Sequence, residues 1–228
     1  MDDAKTPTEI VYNSSRFNKR VVSWGYEVPA NQTPLKWFKL CLVDESKLSA
    51  DIRRSQHLIT ARQMLADHGL TAVDAAADYL RQLWKYTLES LERELGKTAV
   101  NGLPFRVIVT VPACWKDAAM TNTLEAAKKA GIKDHRLCGE TTLDLVPEPE
   151  AAALATLAQF RGRPDVAPGD VITVCDCGGG TVVCVSPETQ TNANWRKGRY
   201  ELHNPGRKPC SSQRIGSRGG EDVRCNIR

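Results

Sequence analysis

The sequence predicts an α/β fold, and three stretches of the chain carry that prediction. Apolar runs typical of strands alternate with helical patterns between residues 105 and 160. A long amphipathic helix is indicated over Thr71–Leu95, and Val171–Val185 has the composition of two strands around a glycine turn. With 228 residues, 41% of them hydrophobic and 25% charged, the chain is long enough to bury a core.

The N-terminal part is predicted to begin with an antiparallel hairpin. Short apolar runs within Pro7–Trp24 flank the polar turn SSRFNKR. The aromatic residues of Trp24–Leu42, beside Lys36 and Lys39, leave two interpretations open, a binding surface or core and hinge packing, of which packing is the more usual. A helix over Asp51–Asp67 is then expected to end at a glycine in the left-handed conformation.

The longest predicted helix follows. Thr71 and Asp74 have the spacing of a capping box, and an apolar stripe with helical spacing is expected to face the core. Gly96 should end this helix, and Asn101–Gly102 should turn the chain into a buried strand at Phe105–Val111.

The next elements complete the alternation. A helix is predicted over Lys116–Ala130, a short strand at Leu143–Val146 and an Ala-rich helix at Glu150–Phe160, with Pro149 in its first turn where proline is tolerated. Arg161–Asp170 is rich in Pro and Gly and is expected to be a linker.

The hairpin at Val171–Val185 reads VITVCDCGGGTVVCV and carries chemistry at its tip. Three consecutive glycines can take positive φ and bring bare N–H groups against phosphate oxygens, while Asp176 is placed to hold hydrated Mg²⁺. A plain glycine-rich hairpin without a ligand is the alternative.

The order of four motifs resembles the actin-like ATPase superfamily. They are a strand with VPA in Phe105–Trp115, a helix ending at Ala130–Ile132, an EPxAAA segment in Leu143–Leu157, and the sequence D-x-GGGT at Asp176–Thr181. The pattern is most similar to the 70-kDa heat-shock chaperones and to a divergent branch of them, over roughly Pro7–Ser186. The resemblance implies a ribonuclease H-like lobe.

The resemblance also implies a domain organisation. Residues 7–165 would be a first lobe that lacks its first phosphate hairpin, and 170–186 a phosphate-binding hairpin that opens a second lobe. Residues 187–228 carry nine Lys or Arg and four Asp or Glu, and are expected to form a basic, disordered tail. The ATPase domain is thus expected to be truncated at both ends.

In that family ATP or ADP lies between two lobes, and the resemblance assigns roles to residues of this chain. Glu148 would position the attacking water, although an acid stabilised by a helix N-terminus is the alternative. Pro112 would act in switching between nucleotide states. Residues expected to hold the β- and γ-phosphates are Gly178, Gly179, Gly180 and Thr181, with Thr181 also catalytic, while Asp176 would contact Mg²⁺ through water.

Departures from the family pattern keep two functions open. Met120 stands where the chaperones have an arginine, Val183 stands where a second Asp is expected, and the family's catalytic lysine is expected to be absent. The chain is therefore predicted to bind ATP, with hydrolysis left open, or to be a non-catalytic remnant that acts as a protein-interaction module. Protein partners fit either reading, whereas nucleic-acid binding through the basic tail is disfavoured.

The chain is expected to be cytoplasmic. Its first residues are acidic and polar, unlike a signal peptide, and no apolar run approaches the roughly 20 residues that span a bilayer. Cysteines in a reducing compartment are interpreted as buried small hydrophobes rather than as disulfides, a zinc site or a redox pair; those considered are Cys41, Cys114, Cys138, Cys175, Cys177 and Cys184.

Overall fold

The computed structural model describes residues 5–13 and 21–159, together with three short strands at Val174–Cys177, Val182–Val185 and Tyr200–His203. Within these parts the fold is mixed α/β, as predicted, with two sheets of two strands and one of three. No helix in the described ranges combines the length and the apolar character needed to cross a membrane.

The predicted N-terminal hairpin is confirmed. Strands β1 (Ile10–Tyr12) and β2 (Val21–Trp24) pair antiparallel. On its other side β1 forms a bridge to Leu35, through hydrogen bonds of 3.2 Å and 2.7 Å between the backbones of Ile10 and Leu35. Both side chains are fully buried, so this bridge fixes the segment that leads to residues 36–42.

Three short 3₁₀ helices follow, at Gly25–Glu27, Phe38–Leu42 and Glu45–Lys47. The single helix predicted over Asp51–Asp67 is wrong, because the structure has two, α1 (Ala50–Arg53) and α2 (Gln56–His68). The Ser55 hydroxyl accepts a hydrogen bond from the Leu58 N–H at 3.4 Å and starts a new helix there. The left-handed Gly69 at the end of α2, with φ 54°, is as predicted.

Helix α3 (Ala72–Leu95) is the longest, and its predicted capping box is confirmed. Thr71 Oγ1 accepts from the Asp74 N–H at 3.1 Å, and Asp74 Oδ2 accepts from the Thr71 N–H at 3.0 Å. The apolar stripe faces the core as predicted over most of the helix but not at its end. Ala76 and Ala77 are buried and Trp84 packs against a second buried cluster, whereas Leu95 is 53% exposed.

A parallel β-α-β unit follows. Short helix α4 (Lys97–Gly102) replaces the predicted turn, and β3 (Arg106–Val111) leads through α5 (Asp117–Lys129) to β4 (Thr142–Pro147). Helix α5 packs against α3. The prediction that β3 is buried is wrong for one face, because its residues alternate in exposure and Ile108 is 52% exposed.

Helix α6 (Glu148–Gln159) starts immediately after β4, with Pro149 in its first turn as predicted. The Pro149 side chain is buried. Beyond it, β5 (Val174–Cys177) and β6 (Val182–Val185) pair antiparallel, which confirms the strands of the predicted glycine hairpin. A further strand, β7 (Tyr200–His203), pairs with β6. These four residues lie in the segment predicted to be a disordered tail, and they pair antiparallel with β6.

Candidate functional site

The topology brings two of the predicted site residues to the same edge of a sheet. Strands β3 and β4 are parallel, and Val111 lies opposite Pro147. Pro112 and Glu148 are the next residues along their strands, so both lie at the carboxyl edge of this pair. In open α/β sheets this is the edge at which ligands bind.

A lysine from a distant segment meets Glu148 at this edge. Lys39 lies in the 3₁₀ helix Phe38–Leu42, and its Nζ donates to Glu148 Oε1 at 2.6 Å. The Glu148 side chain is 18% exposed and that of Lys39 is 48% exposed. The pair is therefore anchored on a largely enclosed carboxylate, with an ammonium group that solvent can reach.

A turn after β3 forms the wall beside this ion pair. The Trp115 N–H donates to the Pro112 carbonyl at 3.0 Å, and the Lys39 ammonium lies 5.7 Å from the centre of the Trp115 ring. Pro112 itself is buried. An ammonium group over an aromatic face is stabilised by the ring quadrupole, so Trp115 helps to hold Lys39 near Glu148.

Cys114 lies within the electrostatic reach of the same pair. Burial raises the pKa of its thiol above the usual range, and the Glu148 carboxylate raises this pKa further while Lys39 opposes the shift. The thiol is therefore held in its protonated form, which is a poor nucleophile.

The segment that carries Lys39 is fixed at its far end as well. Phe38 and Leu42 are buried, and the Asn122 side chain on α5 donates to the Leu42 carbonyl at 2.8 Å. The backbone on both sides of Lys39 is thus held by the core, and only its side chain reaches outward.

Of the other predicted site residues, the structure describes Asp176 but not those of the glycine turn. Asp176 lies in β5, opposite Val183 of β6. Gly178, Gly179, Gly180 and Thr181 lie outside the described residues. Among the described residues no group of three or more His, Cys, Asp or Glu side chains is arranged to hold a metal ion.

The cysteine predictions are only partly met. Cys41, Cys114 and Cys138 are free thiols, but each is only partly buried. Burial raises the pKa of Cys41 as it does that of Cys114. The other cysteines that were considered, Cys175, Cys177 and Cys184, lie in β5 and β6.

Sequence reasoning named Lys39 only beside a possible binding surface and did not pair it with Glu148. The available signal was a lysine directly after Trp37 and Phe38, in a segment that follows two prolines and precedes the first long helices. The alternative that this segment is only core packing accounts for Phe38 but not for the 2.6 Å contact of Lys39 with Glu148.

A separate open groove of about 620 Å³ lies between α3 and the residues that follow α5. It is lined by both signs of charge, including Lys85, Glu92, Asp134 and Arg136. None of its lining residues belongs to the Lys39–Glu148 pair. The mixed charges do not favour one class of ligand.

No protein-family model matches the chain. Curated relatives do. Chaperone protein HscA of Pectobacterium atrosepticum is 32% identical over 134 residues, which are 58% of this chain and 19% of that protein. The HscA homologues of Vibrio campbellii and Shewanella denitrificans are 36% and 38% identical over 109 residues, which are 48% of this chain and 14% of each relative.

This chain is similar to part of HscA. The similarity supports the predicted likeness to the 70-kDa heat-shock chaperones. The matched region spans no more than about a fifth of the length of these relatives, 19% in the first of them.

Proposed function

We propose that this chain forms part of the ATP site of a cytoplasmic chaperone of the 70-kDa heat-shock type, within an actin-like lobe, with Lys39 and Glu148 at its phosphate end. The observation that carries the proposal is the 2.6 Å contact between Lys39 and Glu148 at the carboxyl edge of β3 and β4. Similarity to HscA supports the chaperone part of the proposal.

Lys39 supplies the charge that a phosphate group needs. Its ammonium is 48% exposed, while its backbone is fixed by the buried Phe38 and Leu42. A cation held in advance stabilises the charge that builds up on phosphate oxygens during phosphoryl transfer. The Trp115 ring restricts the positions that the Lys39 ammonium can take, which favours one direction of approach for the phosphate group.

Glu148 is the candidate for orienting water. In the ion pair its carboxylate accepts a hydrogen bond from Lys39. When Lys39 turns to a phosphate oxygen, the carboxylate becomes free to accept one from a water molecule and to align it for attack. Hydrolysis to ADP and phosphate is the part of the proposal that depends on this exchange.

The glycine hairpin would close the site. In the proposal Gly178, Gly179 and Gly180 offer backbone N–H groups to the β- and γ-phosphates and Thr181 adds a hydroxyl. Magnesium, when bound, neutralises phosphate charge. Asp176 would hold it through water, which fits the preference of Mg²⁺ for water, phosphate and few carboxylates.

Calorimetric titration with Mg-ATP and Mg-ADP tests the proposal. We expect wild-type protein to bind, and we expect Gly179→Val, Asp176→Ala and Lys39→Met to weaken binding. Lys36→Met is the matched control, because Lys36 lies on the same segment, is 46% exposed and contacts Glu9 at 2.6 Å, much as Lys39 contacts Glu148.

Two results would overturn the proposal. One is a folded wild-type protein that releases no heat with either nucleotide, which would favour the protein-interaction alternative. The other is equal loss of binding in Lys36→Met and Lys39→Met, which would mean that general charge, and not the position of Lys39, attracts the nucleotide.

A further inference from the structure

Trp37 has a left-handed backbone conformation, which is unfavourable for any residue with a side chain. Its φ is 63° and its ψ is 5°, and it is the only residue other than glycine with positive φ among the described residues. An L-residue in this left-handed region is disfavoured because its Cβ crowds the following carbonyl oxygen. Such outliers persist where surrounding contacts hold them, and they are concentrated at functional sites.

The contacts that hold Trp37 are visible in the structure. Its indole stacks on the imidazole of His57, with ring centroids 5.1 Å apart and planes 22° apart. It also packs against the main buried cluster, and its carbonyl accepts from the Leu40 N–H at 3.0 Å. His57 is the second residue of α2, so the helix that begins at the Ser55 cap supplies one face of the stack.

This turn lies two residues before Lys39. Trp37 is the residue immediately before the 3₁₀ helix Phe38–Leu42, and its left-handed conformation sets the direction in which that helix starts. Phe38 then enters the core, and Lys39 leaves it toward Glu148. A relaxed backbone at residue 37 would redirect both side chains.

We propose that Trp37 is a positioning residue that, through its left-handed turn and its stack on His57, holds Lys39 against Glu148. The inference deepens the proposed function, on which its role in phosphate binding rests. The placement of Lys39 itself can be measured without nucleotide.

Three substitutions separate the turn from simple packing. Trp37→Ala removes the ring but keeps the free-energy cost of the left-handed backbone conformation. Without the stack on His57, this cost shifts the equilibrium of residue 37 away from the left-handed turn by a factor of about 5 to 30. Trp37→Gly removes the ring and the cost together, because glycine adopts positive φ freely. Trp37→Phe keeps an aromatic ring for the stack on His57.

The experiment is acetylation of lysines by an excess of N-hydroxysuccinimide acetate, followed over time by mass spectrometry of peptides. We expect Lys39 to react several-fold faster in Trp37→Ala than in wild type, and close to the wild-type rate in Trp37→Gly and Trp37→Phe. Lys129 is the internal control, because it is 46% exposed and paired with Asp74 at 3.1 Å, away from this turn.

The results distinguish this inference from loss of fold and from failure of the proposed function. Equal acceleration of Lys39 in the Ala and Gly variants, or no acceleration in either, would overturn the inference. If the acetylation of Lys129 also becomes faster in Trp37→Ala, that variant has lost its fold and His57→Ala is used in its place. An unchanged acetylation rate of Lys39 in His57→Ala would then overturn the inference. If wild type binds no Mg-ATP, the proposed function fails while the labelling still decides the role of Trp37.

Discussion

Breaking the Lys39–Glu148 pair should cost little stability, and the structure sets the size of the effect. Exposed ion pairs contribute about 0.2–1 kcal/mol, and the 18% exposure of Glu148 puts this pair near the upper end. We expect Lys39→Met to lower the free energy of unfolding by about 1 kcal/mol. Glu148→Gln should cost about 1–2 kcal/mol, because Glu148 also lies in the first turn of α6, where the helix dipole favours a negative charge.

A double-mutant cycle measures the contact itself. Urea unfolding of wild type, both single variants and the double variant should give a coupling energy of about 0.5–1 kcal/mol. Each kcal/mol corresponds to a shift of about 2–4 °C in Tm for a chain of this size. A coupling energy near zero would refute the reasoning, since it would mean that the two side chains do not interact in solution. Lys36→Met combined with Glu148→Gln is the control and should be additive.

Three other predictions follow from separate parts of the structure. The hydrogen bond from Thr71 lowers the pKa of Asp74 in the folded protein, so ionised Asp74 stabilises the fold above about pH 4, and this stabilisation is lost as the pH falls through the lowered pKa. Asp74→Asn should therefore make stability depend less on pH in this acid range. An acid-unfolding curve that Asp74→Asn leaves unchanged would contradict the capping box in solution. Ile10→Ala should lower the free energy of unfolding by about 2–5 kcal/mol in urea, because Ile10 is fully buried, and a loss below about 1 kcal/mol would argue against the burial of this side chain. Glu148→Gln should lower the pKa of Cys114 and speed the alkylation of its thiol by iodoacetamide at mildly alkaline pH. An unchanged alkylation rate would mean that Glu148 and Cys114 are too far apart to interact.

Patterns with a local cause were predicted well from the sequence. The capping box at Thr71 needs only the residues of one helical turn, and Gly69 ends α2 because glycine accepts the left-handed conformation. The alternation of β3, α5 and β4 follows from composition and periodicity. In the structure Pro112 and Glu148 lie at one edge of this unit, because parallel strands end together.

Features that depend on distant contacts were missed, as was one local helix cap. The break at Ser55 between α1 and α2 depends on a side-chain cap that competes with a continuous helix. Lys39 and Glu148 are 109 positions apart, and nothing in the local pattern around Lys39 indicates a carboxylate partner. The left-handed Trp37 could not be foreseen either, because propensity argues against it and its support comes from tertiary contacts, the stack on His57 among them.

An acyl-phosphate derivative of ATP tests directly whether Lys39 faces the phosphates of a bound nucleotide. This reagent transfers its acyl group to a lysine near the terminal phosphate, and mass spectrometry identifies the labelled residue. We expect acylation of Lys39 that an excess of unmodified Mg-ATP suppresses, with Lys36 unlabelled. Labelling elsewhere with Lys39 unmodified, or labelling of Lys39 that Mg-ATP does not suppress, would contradict this expectation.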